Sequence, residues 1–213
     1  MKIHTFGDSH SHEGWQHIEN NKTFPIPIHV HLLGPKLMYT VGRDKLDVLN
    51  FKARGVEEGD IVICCFGEID CRSHIYKFKH LGYKNVIDEI VDKYVDVIDL
   101  NKQQFNNLTV GIYNIVPPVR KEIIYSRPEW INKSFPHLGE DEERRDYVQY
   151  ANACLKRKCE EYNYIFVDIY KEHEGEDGFI IHSDGTLHIG TPRFLEEFLT
   201  KHFIPFHKHP EQI

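Results

Sequence analysis

The sequence predicts an α/β chain, a three-layer α/β/α sandwich around a five-stranded parallel sheet. Three observations predict it. Short runs rich in β-branched residues alternate with helical stripes, the pattern of successive βαβ units. One run, DIVICCF at Asp60–Phe66, is apolar almost throughout, as a strand covered on both faces must be. Polar residues of chemical interest fall directly behind the strands, where open parallel sheets form their sites.

The first strand is expected at Lys2–Phe6 and the second at Ile26–Leu33, IPIHVHLL. His29 and His31 alternate there and share one face, which suits either a half-exposed strand or two metal ligands. Leu46, Leu49 and Ala53 predict a helix closed by Gly55. Asp60–Phe66 is the third strand. Ile87, Ile90, Val91, Tyr94 and Ile98 form a long amphipathic stripe behind Gly82. Leu108–Val116 is the fourth strand, stopped by Pro117 and Pro118.

Ser126–Glu143 breaks the rhythm with Pro128, Trp130, Pro136 and Gly139. An irregular insert of this length in a compact domain is expected to be functional or a lid. Tyr147, Val148, Ala151, Cys154, Leu155 and Tyr162 then predict a helix, and Tyr164–Ile169 the fifth strand. Phe194, Leu195, Phe198, Leu199 and His202 predict the last helix, with Pro192 near its first turn. One domain is expected over residues 1-204, with a tail at 205-213 that carries His207 and His209.

Composition narrows the function. The chain has 213 residues, 40% hydrophobic and 28% charged, with a formal charge of −7. That balance, with no basic stripe, argues against nucleic acid and anionic membrane partners. No run approaches the length of a membrane span. Met1–Phe6 is too short and too polar for a signal-peptide core, so a cytoplasmic protein is expected. The odd count of 5 cysteines reads as reduced thiols packed in the core. Cys154 and Cys159 do not have zinc-ligand spacing.

The stretch FGDSHSHEG at residues 6–14 supports two chemistries. Asp8, His10 and His12 form a D-x-H-x-H set that resembles the opening of metal-dependent phosphoesterases and amidohydrolase-like barrels. Such sites need further ligands at strand ends. The G-N-H-[ED] motif is absent, and five strands are too few for a barrel. In the other reading, Asp8, Ser9 and His10 place a serine on a tight turn.

Gly7-Asp8-Ser9 behind the first strand resembles block I of the SGNH (GDSL-type) hydrolase superfamily. Gly34, in HLLGPK, stands where that family has its second-block glycine. GEID at 67–70 stands at the G-x-N-D position, with Ile69 in place of the asparagine. SDGTLHIG at 183–190 stands at the D-x-x-H position, with four residues from Asp184 to His188 rather than three. The resemblance runs from residue 3 to about 200 and implies the flavodoxin-like SGNH hydrolase fold.

It also implies roles. Serine is a poor nucleophile until a base and an orienting carboxylate act on it, and the resemblance makes these Ser9, His188 and Asp184. The oxyanion of the tetrahedral intermediate needs preorganised donors, each worth roughly 3 kcal/mol of barrier. The Ser9 and Gly34 N–H groups are the expected donors. Arg72 is the nearest strong donor to replace the missing asparagine, unless it pairs with Glu68 or Asp70. Arg43 is a weaker candidate for a substrate anion and has Asp44 and Asp47 beside it. Asp8, Gly67 and Asp70 are expected to support the site, Asp70 by accepting N–H bonds from the turn that carries Ser9.

The expected function is a serine esterase or acyl hydrolase on a small polar ester or O-acetylated carbohydrate, with no cofactor and no metal. His10, His12, Glu68, Arg72 and His74 make the expected pocket hydrophilic. The alternatives are a glycan O-acyltransferase with the same triad, a non-catalytic carbohydrate-binding relic, and a metal-dependent phosphoesterase using Asp8, His10 and His12.

Overall fold

A computed structural model describes residues 1–21, 24–127, 132–181 and 187–204. The strands are β1 (Ile3–Gly7), β2 (Ile28–Leu32), β3 (Ile61–Cys65), β4 (Thr109–Tyr113) and β5 (Ile165–Val167). They form one sheet in the order β2-β1-β3-β4-β5, and every pairing is parallel. The five expected strands and the sandwich are found, β1 shifted one residue towards the C-terminus and each other strand one to three residues shorter at both ends.

Side chains alternate across the sheet, so each strand feeds two cores. Phe6, Val62, Cys64 and Ile112 face one cluster. Ile3, Ile61, Ile63, Cys65 and Tyr113 face the other. The first layer is closed by α2 (Met38–Asp44), α4 (Tyr83–Lys102) and α6 (Asp141–Tyr162). The second is closed by α1 (Glu13–Asn21) and α8 (Arg193–Phe203), through Trp15, Ile18, Leu195 and Leu199. Those four are no more than 1% exposed, and each such burial stabilises by about 1.5–3 kcal/mol. Short helices α3 (Ile75–Phe78), α5 (Lys121–Tyr125) and α7 (Tyr170–His173) lie in the connections. Among the described residues, no helix is long and apolar enough to cross a membrane.

Two helices depart from expectation. The segment around Leu46, Leu49 and Ala53 is two 3-10 turns, Lys45–Asp47 and Lys52–Arg54, and the helix lies earlier, at α2. Lys45, at φ 53°, ends α2. Beyond it, the buried Asn101 side chain accepts from Phe51 N–H (2.8 Å) and donates to Leu49 C=O (2.9 Å). Those backbone groups therefore need no helix. Leu46 is 37% exposed and only Leu49 of the expected stripe is buried. The second departure is α1, directly behind Ser9. Trp15 and Ile18 are its only buried apolar side chains, too few to announce a helical period.

The insert is described in part, and Pro128 and Trp130 lie outside the described residues. α6 starts at Asp141, inside the stretch expected to be irregular, with a Glu140–Glu143 capping box. All five cysteines are buried and unpaired in disulfides. His207 and His209 lie outside the described residues.

Candidate functional site

The strand order reverses between β1 and β3, and ligands of open α/β sheets bind outside the carboxyl ends at that point. The turn after β1 is tightly built there. A Cβ on Gly7 would stand 2.0 Å from the Cys65 carbonyl oxygen, so only glycine lets β1 end against β3. Asp8 then caps a 3-10 turn, Ser9–Ser11, by accepting from His10 N–H at 2.9 Å. Ser11 Oγ donates to Asp8 C=O (2.8 Å), and Thr5 Oγ1 donates to Ser11 C=O (2.8 Å). Ser9 sits half-buried on the first residue of this turn.

Asp8 does more than cap. Its Oδ1 lies 3.1 Å from His10 Nδ1. Burial opposes the charged form of His10, but the Asp8 carboxylate outweighs it and lifts the ring above its usual 6.5. The His10 ring stands 4.9 Å from that of His188, tilted by 57°. His188 is carried there by its neighbour. Ile189 is 8% exposed and would meet a Cβ on Gly14 of α1 at 2.9 Å. The close approach of that segment to α1 depends on glycine, and it sets His188 beside the Ser9 turn.

The structure thus brings Ser9, His10 and His188 into one region. Asp184 lies outside the described residues. Gly34 follows β2 with φ 76° and nothing within 4 Å of the place of a Cβ, a left-handed position that favours glycine. Gly67, at φ 119°, is hemmed by Ile115 and Met38 side chains at 2.6–2.9 Å from that place. Asn152 of α6 fixes Ile115 by accepting its N–H (2.8 Å) and donating to its C=O (2.7 Å).

Asp70 corrects the expectation made of it. It is fully buried, but accepts from Met38 N–H (2.7 Å) and Tyr39 N–H (3.2 Å), at the start of α2. It holds the segment after Gly34, not the Ser9 turn. The reason is chain direction: α2 starts with two N–H groups that no helical carbonyl can reach. Burial pushes the Asp70 carboxyl up to about 7, with the two N–H bonds opposing and the Asp8 charge adding.

Arg72 lies on a π-helical turn, Asp70–His74. Its Nε is 3.3 Å from Glu68 Oε2, and both groups are largely buried. The pairing partner is therefore Glu68 rather than Asp70. Ile69, where the resemblance expects an asparagine, is 4% exposed. Arg43 forms two hydrogen bonds to Asp44 (2.6 and 2.8 Å) on the surface, which leaves it bound to its own neighbour. His12 lies 3.6 Å from Glu13. Among the described residues, no three His, Cys, Asp or Glu side chains are grouped as metal ligands.

Two residues near Arg72 escaped the sequence reading. His137, from the insert, and Arg144, from the first turn of α6, share a pocket with Glu68 and Arg72. Arg144 was legible in one respect: it stands three residues before Tyr147, on the apolar stripe of its helix. His137 lies between irregular segments and gives no periodic signal.

Neither a family model nor a curated protein matches the sequence. Solved structures do match the fold. A Streptococcus pneumonia protein superposes with TM-score 0.63 at 15% identity, over 94% of this chain and 82% of its own. A member of the lipolytic protein G-D-S-L family from Veillonella parvula has TM-score 0.59 and 14% identity, over 95% and 98%. Phospholipase A1 from Streptomyces albidoflavus has TM-score 0.58 and 11% identity, over 94% and 98%. The chain has the fold of the SGNH, or G-D-S-L, lipolytic hydrolases.

Proposed function

We propose that the chain is a serine esterase or acyl hydrolase of SGNH type, acting on a small polar ester or O-acetylated carbohydrate. One observation carries the reading: the turn after β1 that presents Ser9 stands where the segment before α8 delivers His188, through the His10–His188 contact. Likeness of fold to G-D-S-L hydrolases supports it.

In this mechanism Ser9 Oγ attacks the acyl carbonyl and gives its proton to His188. Asp184 orients that imidazole and balances its positive form. The oxyanion takes hydrogen bonds from the Ser9 and Gly34 N–H groups and from Arg72 in the place of an asparagine. The C–O bond then breaks, and His188 returns the proton to the departing alcohol. Water, activated by the same base, attacks the acyl-serine, frees the acid and restores Ser9.

The test is mass spectrometry after treatment with a fluorophosphonate. Ser9 should carry the label and Ser9→Ala protein should carry none. An unlabelled parent protein that still hydrolyses p-nitrophenyl acetate overturns the serine mechanism.

A further inference from the structure

A pocket beside the proposed site holds more buried donors than its own residues satisfy. Four segments build it: the turn with Glu68 and Arg72, the residues 116–119 after β4, His137 of the insert, and Arg144 of α6. Leu187, the neighbour of His188, closes one wall, and the space enclosed is small, about 20 Å³. Arg72, His137 and Arg144 are only 8%, 6% and 1% exposed. Both His137 ring nitrogens and the Nε atoms of Arg72 and Arg144 are buried without a hydrogen-bond partner among the described residues.

Such donors are costly to bury unsatisfied. Ion pairing does not relieve them all. Arg144 reaches Asp141 through a terminal nitrogen. Arg72 Nε is close to Glu68 without hydrogen-bond alignment. A guanidinium has five N–H donors, so both keep capacity after pairing. Nor does Arg144 serve its helix, since a cation in the first turn opposes the macrodipole. Three cationic or donor side chains from three segments converge on one small space at the carboxyl end of the sheet, and an oxyanion is the ligand that satisfies them.

Charge decides which oxyanion. Glu68 and Asp141 already balance the two arginines, so the pocket suits a planar monoanion better than a doubly charged phosphate. We propose that this pocket receives a carboxylate on the substrate, which makes the substrate an ester of a small acidic molecule. The inference rests on the esterase reading for the word substrate, and names what that ester carries.

Binding without turnover separates the two claims. Ser9→Ala protein is titrated calorimetrically with monomethyl glutarate and 4-acetoxybenzoate, and with the neutral primary amide of each. At least one acid should bind tenfold or more tightly than its amide. Adding His137→Ala or Arg144→Lys should shrink that preference below threefold, with circular dichroism confirming the fold. Where Arg144→Lys fails to fold, His137→Ala decides. In protein with Ser9 intact, these two changes should lower kcat/KM for 4-acetoxybenzoate and spare that for its amide. Equal affinity for acid and amide, no binding of any probe, or inorganic phosphate or sulfate binding tighter than both acids overturns the proposal. A missing fluorophosphonate label with the acid preference intact removes the serine mechanism and leaves the carboxylate pocket standing.

Discussion

The imidazoles of His10 and His188 stand 4.9 Å apart, centroid to centroid, and against the opposing effect of burial the Asp8 carboxylate raises the pKa of the first, favouring its charged form. A like charge so close disfavours protonation of a neighbouring base. His10→Gln removes it. The acidic limb of the kcat/KM profile against pH should then move to higher pH, with the alkaline side unchanged. An unmoved limb would show that His10 only braces the turn.

Ser9→Ala should abolish esterase activity by several orders of magnitude and leave the melting temperature nearly unchanged. Asp8, not Ser9, caps the turn, so a single hydroxyl is lost from a half-buried position. Asp184 and His188 should behave as one unit: Asp184→Ala with His188→Ala should be hardly slower than His188→Ala alone. Multiplicative losses would give His188 another partner.

Gly7→Ala should destabilise by about 3 kcal/mol or more in urea unfolding. Its Cβ would stand 2.0 Å from the Cys65 carbonyl oxygen and 2.9 Å from Ser11 Cβ, and backbone cannot swing aside as a long side chain can. Gly55→Ala is the control. It meets nothing within 4 Å and has only its φ of 79° against it, a cost of about 1–2 kcal/mol.

A further test concerns the edge of the sheet away from the site. His31 Nε2 lies 3.0 Å from His4 Nδ1, and His4 Nε2 lies 3.1 Å from Asp60 Oδ2. Burial, with the His4 ring adding, pushes His31 down to about 4 from its usual 6.5. The unfolded chain therefore binds more protons between those values. The stability this group contributes is full above pH 6.5 and is lost as pH falls from 6.5 toward 4. His31→Gln should flatten the fall in unfolding free energy across that window. A parent slope retained in the variant would assign the acid sensitivity elsewhere.

The strands, the long helices and the places of Ser9, Gly34, Gly67 and His188 were legible in the sequence, because each follows from local chemistry. A near-continuous apolar run marks a doubly covered strand, a 3.6-residue stripe marks α4 and α6, and a glycine with acidic and hydroxyl neighbours marks a turn. The sequence also shows an isoleucine, Ile69, where the resemblance expects an asparagine. It could not place α1 or α2, whose short apolar faces depend on partners, Trp15 and Ile18 on the second core and Met38 and Val41 on the first. Nor could it say that Asp70 serves Met38 and Tyr39, since those N–H groups are 32 and 31 residues away in the chain. The meeting of Glu68, Arg72, His137 and Arg144 is likewise a product of the sheet order. Local pattern reports what a residue does to its own backbone. Which distant charges share a buried space is decided only when parallel strands bring their carboxyl ends to one edge, where low polarity makes every unpaired donor count.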